Sequence, residues 1–147
     1  MDKVALKAKL LKDHQASLDE LKEEYAGYQR GGDLNLEDVR DADDNSHREQ
    51  TEEYLYALER QIRQREEEIS KLKSLDFSPK SAVTEGAVAL VGGQYYIIGI
   101  PACQFDFLDK HFVAMSPEAP FYQELMDRKA ADTFMFQGEE YRVDSIF

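Results

Sequence analysis

A dense group of acidic side chains within residues 40–50 is the part of this sequence best suited to chemistry. Asp41, Asp43, Asp44 and Asn45 stand together there, at the start of a long charged segment that is predicted to be helical. Side chains of these types can cap a helix, because they accept hydrogen bonds from the free N–H groups of its first turn. Carboxylates are also the ligands that Mg²⁺ prefers, so the same residues are candidate metal ligands. Helix capping is the commoner use of such residues. The rest of the sequence must therefore be considered before either capping or metal binding is preferred.

The composition restricts the classes of function that are open to this chain. Its 147 residues are enough for one large domain or two small ones. Acidic residues outnumber basic ones by 30 to 18, and the net charge of −12 argues against non-specific binding to a nucleic-acid backbone. The same charge is compatible with a basic protein partner. The single cysteine, Cys103, excludes an intramolecular disulfide and fits a reducing compartment.

Sequence motifs of the common enzyme classes are absent. There is no Gly-x-Gly-x-x-Gly, no P-loop, no Cys-x-x-Cys and no serine nucleophile elbow. His14, His47 and His111 do not have the spacing of metal ligands. No apolar stretch approaches the roughly 20 residues that a membrane span requires, and Met1 is followed by charged residues rather than by a signal peptide. We therefore expect a cytoplasmic protein that is not itself an enzyme and does not contact a membrane.

The two halves of the chain differ in composition, which predicts two domains. The first half contains no proline and is rich in Glu, Lys, Leu, Ala and Gln, whereas Gly, Pro, Val, Ile, Phe and Tyr dominate the second. Pro79 prevents a helix from continuing at its own position and disfavours it at Ser78. We place the domain boundary here, with a helical domain over 1–76 and a second domain over 77–147.

The first half predicts two helices that pair with each other. The first helix is predicted from Asp2 to Tyr28, where Gly27, Gly31 and Gly32 weaken and then stop it. Apolar residues repeat in it every seven positions, at Val4, Leu11, Leu18 and Tyr25. The second helix is predicted from Asn45 to Ser74, with its seam at Leu55, Leu58, Ile62, Arg65, Ile69 and Leu72. Neither seam can be buried alone, which favours an antiparallel coiled-coil hairpin with an acidic tip over residues 31–44. A coiled coil that forms a dimer is the alternative.

The second half predicts a small domain with an antiparallel sheet and one helix. Apolar runs at 87–91 and 94–100 flank Gly92-Gly93 and indicate a β-hairpin, and a third strand follows at 112–115. A helix is expected from Glu118 to Lys129, with Ser116 as its N-cap and Pro117 at its first position. Two further strands lie at 133–136 and 140–143. The predicted fold class is therefore α+β.

This order of elements resembles that of the bacterial transcript-cleavage elongation factors GreA and GreB. The tip of that family carries Asp, two residues, and then Glu-Asn, and this chain has Asp41-Ala-Asp-Asp44-Asn45, with Asp in place of Glu. A second register is open, because Asp33 and Glu37 also lie in the tip. In the second half, the segment from Ser116-Pro117 to Leu125 is similar to part of the closing segment of the family's FKBP-like domain, and so are residues 132–134 and 138–143.

The resemblance implies a partner and a set of functional residues. The partner would be RNA polymerase, with the hairpin in its secondary channel and the nascent RNA contacted only indirectly, without sequence-specific DNA binding. Asp41 and Asp44 would be the catalytic carboxylates, holding a Mg²⁺ ion that is shared with the polymerase active site rather than bound stably by this chain. Asn45 or Ser46 would help to position the tip against the partner, and Ser116, Pro117 and Phe121 would belong to the docking domain.

Several questions stay open at this level. The resemblance does not decide between a factor that stimulates RNA cleavage and a related regulator that occupies the channel and inhibits. The aspartate at position 44 is one methylene shorter than the glutamate of the family. A third possibility is an interaction protein whose hairpin pairs with an unrelated partner. We expect the chain to be a monomer.

Overall fold

The computed structural model describes residues 1–34 and 42–147, and the side chains of residues 1–31 and 46–147. Two N-terminal helices precede a six-stranded sheet, which confirms the predicted helical hairpin and small α+β domain. The elements are α1 (Lys3–Leu34), α2 (Ala42–Ser74), β1 (Val88–Val91), β2 (Gln94–Ile98), β3 (Gln104–Phe107), β4 (Lys110–Met115), α3 (Pro120–Leu125), β5 (Thr133–Phe136) and β6 (Glu139–Ile146).

The contacts divide the chain into two compact units. The sheet unit consists of Met1–Leu10 and Lys71–Phe147, and the hairpin unit consists of Leu11–Ser70. The first residues of α1 and the last residues of α2 therefore belong with the sheet. These two units are defined by contacts, whereas the boundary predicted at residue 76 separates two domains along the chain. That boundary stays a prediction.

Both long helices extend beyond their predicted limits. Helix α1 was expected to stop near Tyr28, but it continues to Leu34 through all three glycines, and α2 begins at Ala42 rather than at Asn45. A glycine inside a helix costs about 1 kcal/mol relative to alanine, which is not enough to end a helix whose other residues favour it. A Cβ atom at Gly27 or Gly31 would meet nothing within 4 Å, so packing does not require glycine at either position.

The buried face of α2 matches the predicted seam, whereas that of α1 departs from it at the start and agrees with it at Leu18, which is buried. On α2, Leu58, Ile69 and Leu72 are buried. On α1, Val4 is 81% exposed, and the buried residues nearby are Leu6 and Leu10. The seven-residue repeat that begins at Val4 is therefore wrong for the start of α1. The reason is that Met1–Leu10 belong to the sheet unit, where burial is not set by the partner helix alone.

The sheet is mixed rather than antiparallel as predicted. Its strand order is β3-β4-β2-β1-β6-β5, and β2 runs parallel to β4 while the other neighbours are antiparallel. The edge strand β3 was absent from the prediction. Its residues alternate between exposed and half-buried positions, but the two-residue turn that joins it to β4, Leu108-Asp109, lacks the glycine that marks most such turns.

Helix α3 is shorter than expected and covers one face of the sheet. It begins at Pro120 and ends at Leu125, and no side chain caps its start at Ala119. The predicted cap, Ser116, instead accepts a hydrogen bond of 3.1 Å from the N–H of Ala119 through its carbonyl oxygen, which closes a turn before the helix. The core on this face contains the following buried residues: Val83, Ala89, Val91, Ile98, Met115, Tyr122, Leu125, Phe134 and Val143.

A buried lysine connects distant segments of the sheet unit. Lys3 is only 6% exposed, and its ammonium donates hydrogen bonds to the carbonyl oxygens of Ser78, at 2.9 Å, and Phe147, at 2.8 Å. Burial, together with the charge of Lys80, lowers the pKa of Lys3 from 10.5 to about 8. The ammonium therefore joins three segments of the chain while losing part of its hydration.

The stability of the protein should depend on pH through Lys3. Because the pKa of Lys3 is lower in the native state than in the unfolded chain, unfolding takes up a proton between pH 8 and pH 10.5, and stability from this group rises with pH in that window. The full shift corresponds to roughly 3 kcal/mol, and solvent screening should reduce the observed gain to about 1–2 kcal/mol.

The measurement is urea unfolding from pH 7 to pH 10.5 for the parent and for Lys3→Met. The difference in unfolding free energy between the two should change by the stated amount across this window. Lys12→Met removes an equal charge from an exposed position and is the matched control, with a difference that stays constant. A constant difference for Lys3→Met as well would contradict the lowered pKa.

Candidate functional site

Polar pairs between α1 and α2 define how the hairpin unit is built. His14 Nε2 lies 4.0 Å from a carboxylate oxygen of Glu68, and Lys22 Nζ lies 2.8 Å from one of Glu66. As the residue number rises along α1, the number of its partner on α2 falls. The two helices therefore run antiparallel, as the sequence predicted.

Tyrosines continue this pairing further along the two helices. The hydroxyl of Tyr25 donates a hydrogen bond of 2.6 Å to Glu59, and that of Tyr54 donates one to Glu24. The rings of Tyr28 and Tyr54 lie 4.6 Å apart between centroids. The hydrogen bond to Glu59 raises the pKa of Tyr25, because the neutral hydroxyl is the donor. These pairs fix the register of the hairpin within a single chain, so burial of its seam does not require a second copy.

Arg65 interrupts the apolar seam, as predicted, and the structure shows how its charge is compensated. Its Nη1 atom lies 2.9 Å from a carboxylate oxygen of Glu68, the residue that also faces His14. Its Nε atom is buried and has no hydrogen-bond partner within the described part of the chain. An unpaired buried donor costs free energy, so this polar group weakens the seam.

The predicted tip residues fall at the limit of what the structure describes. Asp41 lies outside the described residues, and so does Glu37 of the alternative register. Asp44 and Asn45 lie within the bounds of α2, and Asp33 within those of α1, but their side chains are outside the described set. The assignment of Asp41 and Asp44 as metal ligands therefore stays a prediction.

Elsewhere the described side chains provide no metal centre. No group of three or more His, Cys, Asp or Glu residues in the described ranges is arranged to hold a metal ion. The donor set predicted at the tip is chemically suited to Mg²⁺, because this ion binds through oxygen. Two carboxylates supply only part of the roughly six ligands that Mg²⁺ needs, so this set fits a shared site better than a private one.

Phe121, one of the predicted docking residues, lies at the centre of an aromatic cluster. Its ring centroid is 5.2 Å from Tyr96, 5.5 Å from Phe134, 5.0 Å from Phe136 and 5.2 Å from Tyr141. Such contacts hold α3 on the sheet and give Phe121 a clear role in packing. A role in binding a partner stays a prediction for this residue.

The other two predicted docking residues form a half-buried turn after β4. The carbonyl oxygen of Pro117 accepts a hydrogen bond of 2.7 Å from the side chain of Gln123. The backbone N–H of Glu118 and the hydroxyl of Ser116 hold the pKa of the Glu118 carboxyl below its ordinary value. The turn is thus ordered by its own hydrogen bonds, and contact between Ser116 or Pro117 and a partner stays a prediction.

No helix in the described ranges is both long and apolar enough to cross a bilayer.

Solved structures that are similar to this chain include two of the transcription factor Gfh1. The first has 17% sequence identity and a TM-score of 0.35, and the second, from Thermus aquaticus, has 16% identity and a TM-score of 0.33. Each alignment covers 92% of this chain and 92% of the Gfh1 chain. No protein-family model and no curated protein matches this chain. Because both TM-scores are below 0.5, the likeness carries no argument about function.

Proposed function

We propose that this chain is a Gre-type accessory factor that binds RNA polymerase and promotes cleavage of backtracked RNA. The observation that carries the proposal is the intrachain pairing of α1 and α2, between which residues 35–41 form the connection. The acidic stretch Asp41-Ala-Asp-Asp44-Asn45 falls at this connection and at the start of α2. The part of α1 that belongs to the hairpin unit, residues 11–34, is roughly 36 Å long, and a paired rod of this length suits a narrow channel.

In this proposal, the tip supplies carboxylate oxygens to a metal site whose other ligands come from the polymerase. A second metal ion in such a site stabilises both the attacking and the leaving oxygens of phosphodiester hydrolysis. The carboxylates of Asp41 and Asp44 would contribute ligands to it, and Asn45 would orient the tip. The sheet unit, which includes Ser116, Pro117 and Phe121, would anchor the factor on the polymerase.

Inhibition is the second candidate function, and the residue at position 44 favours it. Asp44 replaces the glutamate of the Gre pattern and is one methylene shorter, so its carboxylate reaches less far. A tip that enters the channel without completing the metal site would exclude substrate instead of promoting cleavage. The two candidates share a binding site and differ in the reaction they produce.

The test uses backtracked elongation complexes with RNA labelled at its 5′ end. The full-length chain should bind RNA polymerase in a pull-down and should shorten the RNA from its 3′ end. Binding combined with slower nucleotide addition and no RNA shortening would support the inhibitor instead. Failure to bind polymerase would overturn both and favour a hairpin protein with an unrelated partner.

A further inference from the structure

The turn between β3 and β4 carries an exposed leucine in an unfavourable backbone conformation. Phe107 pairs with Lys110, so the connection consists of Leu108 and Asp109 alone. Their φ angles are +49° and +58°, which is the pattern of a type I′ turn. Leu108 is 70% exposed. A bulky residue at positive φ is an outlier, and here it also places an apolar side chain in water.

The β1–β2 hairpin of the same sheet shows that this cost is avoidable, and the β5–β6 hairpin shows that a polar residue can occupy the strained position. The turn between β1 and β2 uses Gly92 and Gly93, and the turn between β5 and β6 uses Gln137 and Gly138, again with positive φ values. Glycine adopts this conformation without a steric penalty. Aspartate also tolerates positive φ, so the fold alone leaves unexplained only why an exposed leucine occupies the first position of the β3–β4 turn.

Side-chain contacts within and beside strands β3 and β4 order the backbone that carries Leu108. The side chains of Asp106 and His111, which are paired across the two strands, approach within 2.8 Å between Oδ1 and Nδ1. The ammonium of Lys110 lies 5.0 Å from the ring centroid of Tyr95. The rings of Phe105 and Phe112 stack at 5.4 Å. These contacts order the two strands, so the backbone of the turn needs little further ordering when Leu108 binds a partner.

We propose that Leu108 is an anchor side chain that inserts into an apolar recess on the protein surface of RNA polymerase. The assignment rests on the proposed function, and it adds a contact residue outside the predicted docking set of Ser116, Pro117 and Phe121. Strained residues that folding does not require are frequently retained for binding. Anchors of this kind lie in desolvated pockets and contribute much of the binding energy of an interface.

The chemistry of the turn favours a protein as the occupant. In the sequence, Leu108 lies between Asp106 and Asp109, whose charges disfavour nucleic-acid phosphates and anionic lipids. The nearby Lys110 is placed against the ring of Tyr95. If two copies of this chain met through their β3–β4 turns, the acids of one copy would face and repel those of the other. An apolar recess with a basic rim on another protein matches both the leucine and the surrounding acids.

The experiment measures the affinity of the full-length chain for RNA polymerase by biolayer interferometry. Leu108→Asn should weaken binding at least about tenfold, because asparagine tolerates positive φ but cannot fill an apolar recess. The same variant should keep or raise the melting temperature, since the strain at residue 108 is relieved. Leu108→Met should retain affinity within about threefold, because methionine is apolar and of similar volume.

Gln137→Asn is the matched control, because it places asparagine at the equivalent position of another type I′ turn of the sheet without removing an apolar side chain. It should leave affinity unchanged. If the parent binds polymerase and Leu108→Asn binds equally well, this assignment is wrong while the proposed function stands. If the parent does not bind polymerase, the proposed function fails and this assignment fails with it.

Discussion

Replacing Gly86 by alanine is expected to lower the free energy of unfolding by about 2–5 kcal/mol. Gly86 has a φ of +79°, a region that disfavours any residue with a Cβ atom. A Cβ built on it would lie 1.9 Å from the carbonyl oxygen of Asp76 and 2.9 Å from the carbonyl carbon. Both obstacles are backbone atoms, so a side-chain rotation cannot relieve the clash. The loss is a large fraction of the 5–15 kcal/mol that stabilises a typical protein.

Gly93→Ala separates the two contributions to this loss. Gly93 has a nearly identical φ of +82°, but a Cβ there would meet nothing within 4 Å. Urea unfolding of both variants should show a loss of about 1 kcal/mol for Gly93→Ala and a clearly larger one for Gly86→Ala. Equal losses would mean that the segment around Asp76 moves aside without cost.

The close approach at Gly86 fixes the segment that follows α2 within the sheet unit. Asp76 accepts hydrogen bonds from the backbone N–H of Ser78, at 2.9 Å, and from its hydroxyl, at 2.8 Å, and it also pairs with Lys80. Lys80, followed by these bonds to Ser78, holds the pKa of Asp76 well below its ordinary value. A larger residue at position 86 would displace this ordered turn, and the end of α2 that leads into it.

The sequence predicts those parts of the fold in which the burial of a residue is set by its neighbours in the sequence or by one partner helix. The seam of α2 follows from its periodicity, because one face of the helix meets α1 along the hairpin. The start of α1 could not be predicted in this way. Leu6 and Leu10 are buried and Val4 is exposed because these residues belong to the sheet unit, and periodicity does not reveal a partner so distant in sequence.

The sheet shows the same limit for strands. The glycine pair at 92–93 predicted the β1–β2 hairpin, whereas the β3–β4 hairpin was missed because Leu108 and Asp109 adopt positive φ without glycine. The parallel pairing of β2 with β4 joins strands that are separated by another strand in the chain, so no local signal encodes it. Residues that break a local rule, such as Leu108, are the ones for which function is the first explanation to test.

For the candidate site, the sequence identified residues of a suitable type but did not show whether each one serves packing or binding. Phe121 was selected as a docking residue from a family pattern, and the structure places it, half-buried, against four aromatic rings. An aromatic residue serves packing and binding equally well, and only its neighbours distinguish the two. Asp41 and Asp44 depend on the same family pattern, and their roles need a direct measurement.

Under the proposed function, Asp41→Ala and Asp44→Ala should each reduce the rate of RNA cleavage in backtracked complexes by about 100-fold. Each change removes one carboxylate from a shared metal site that has few protein ligands. Affinity for RNA polymerase should be unchanged, because the sheet unit is proposed to anchor the factor. The measurements are the single-turnover cleavage rate at saturating factor and the dissociation constant of each variant.

Asp33→Ala and Glu37→Ala are the matched controls, since they remove equal charges from the alternative register of the same acidic segment. They should cleave at the parental rate, and a loss confined to them would move the site to that register. Asp44→Glu restores the side-chain length of the Gre pattern and should raise the rate above that of the parent. Parental rates in both Asp41→Ala and Asp44→Ala would remove these carboxylates from the mechanism, because general electrostatic attraction to the channel would then suffice.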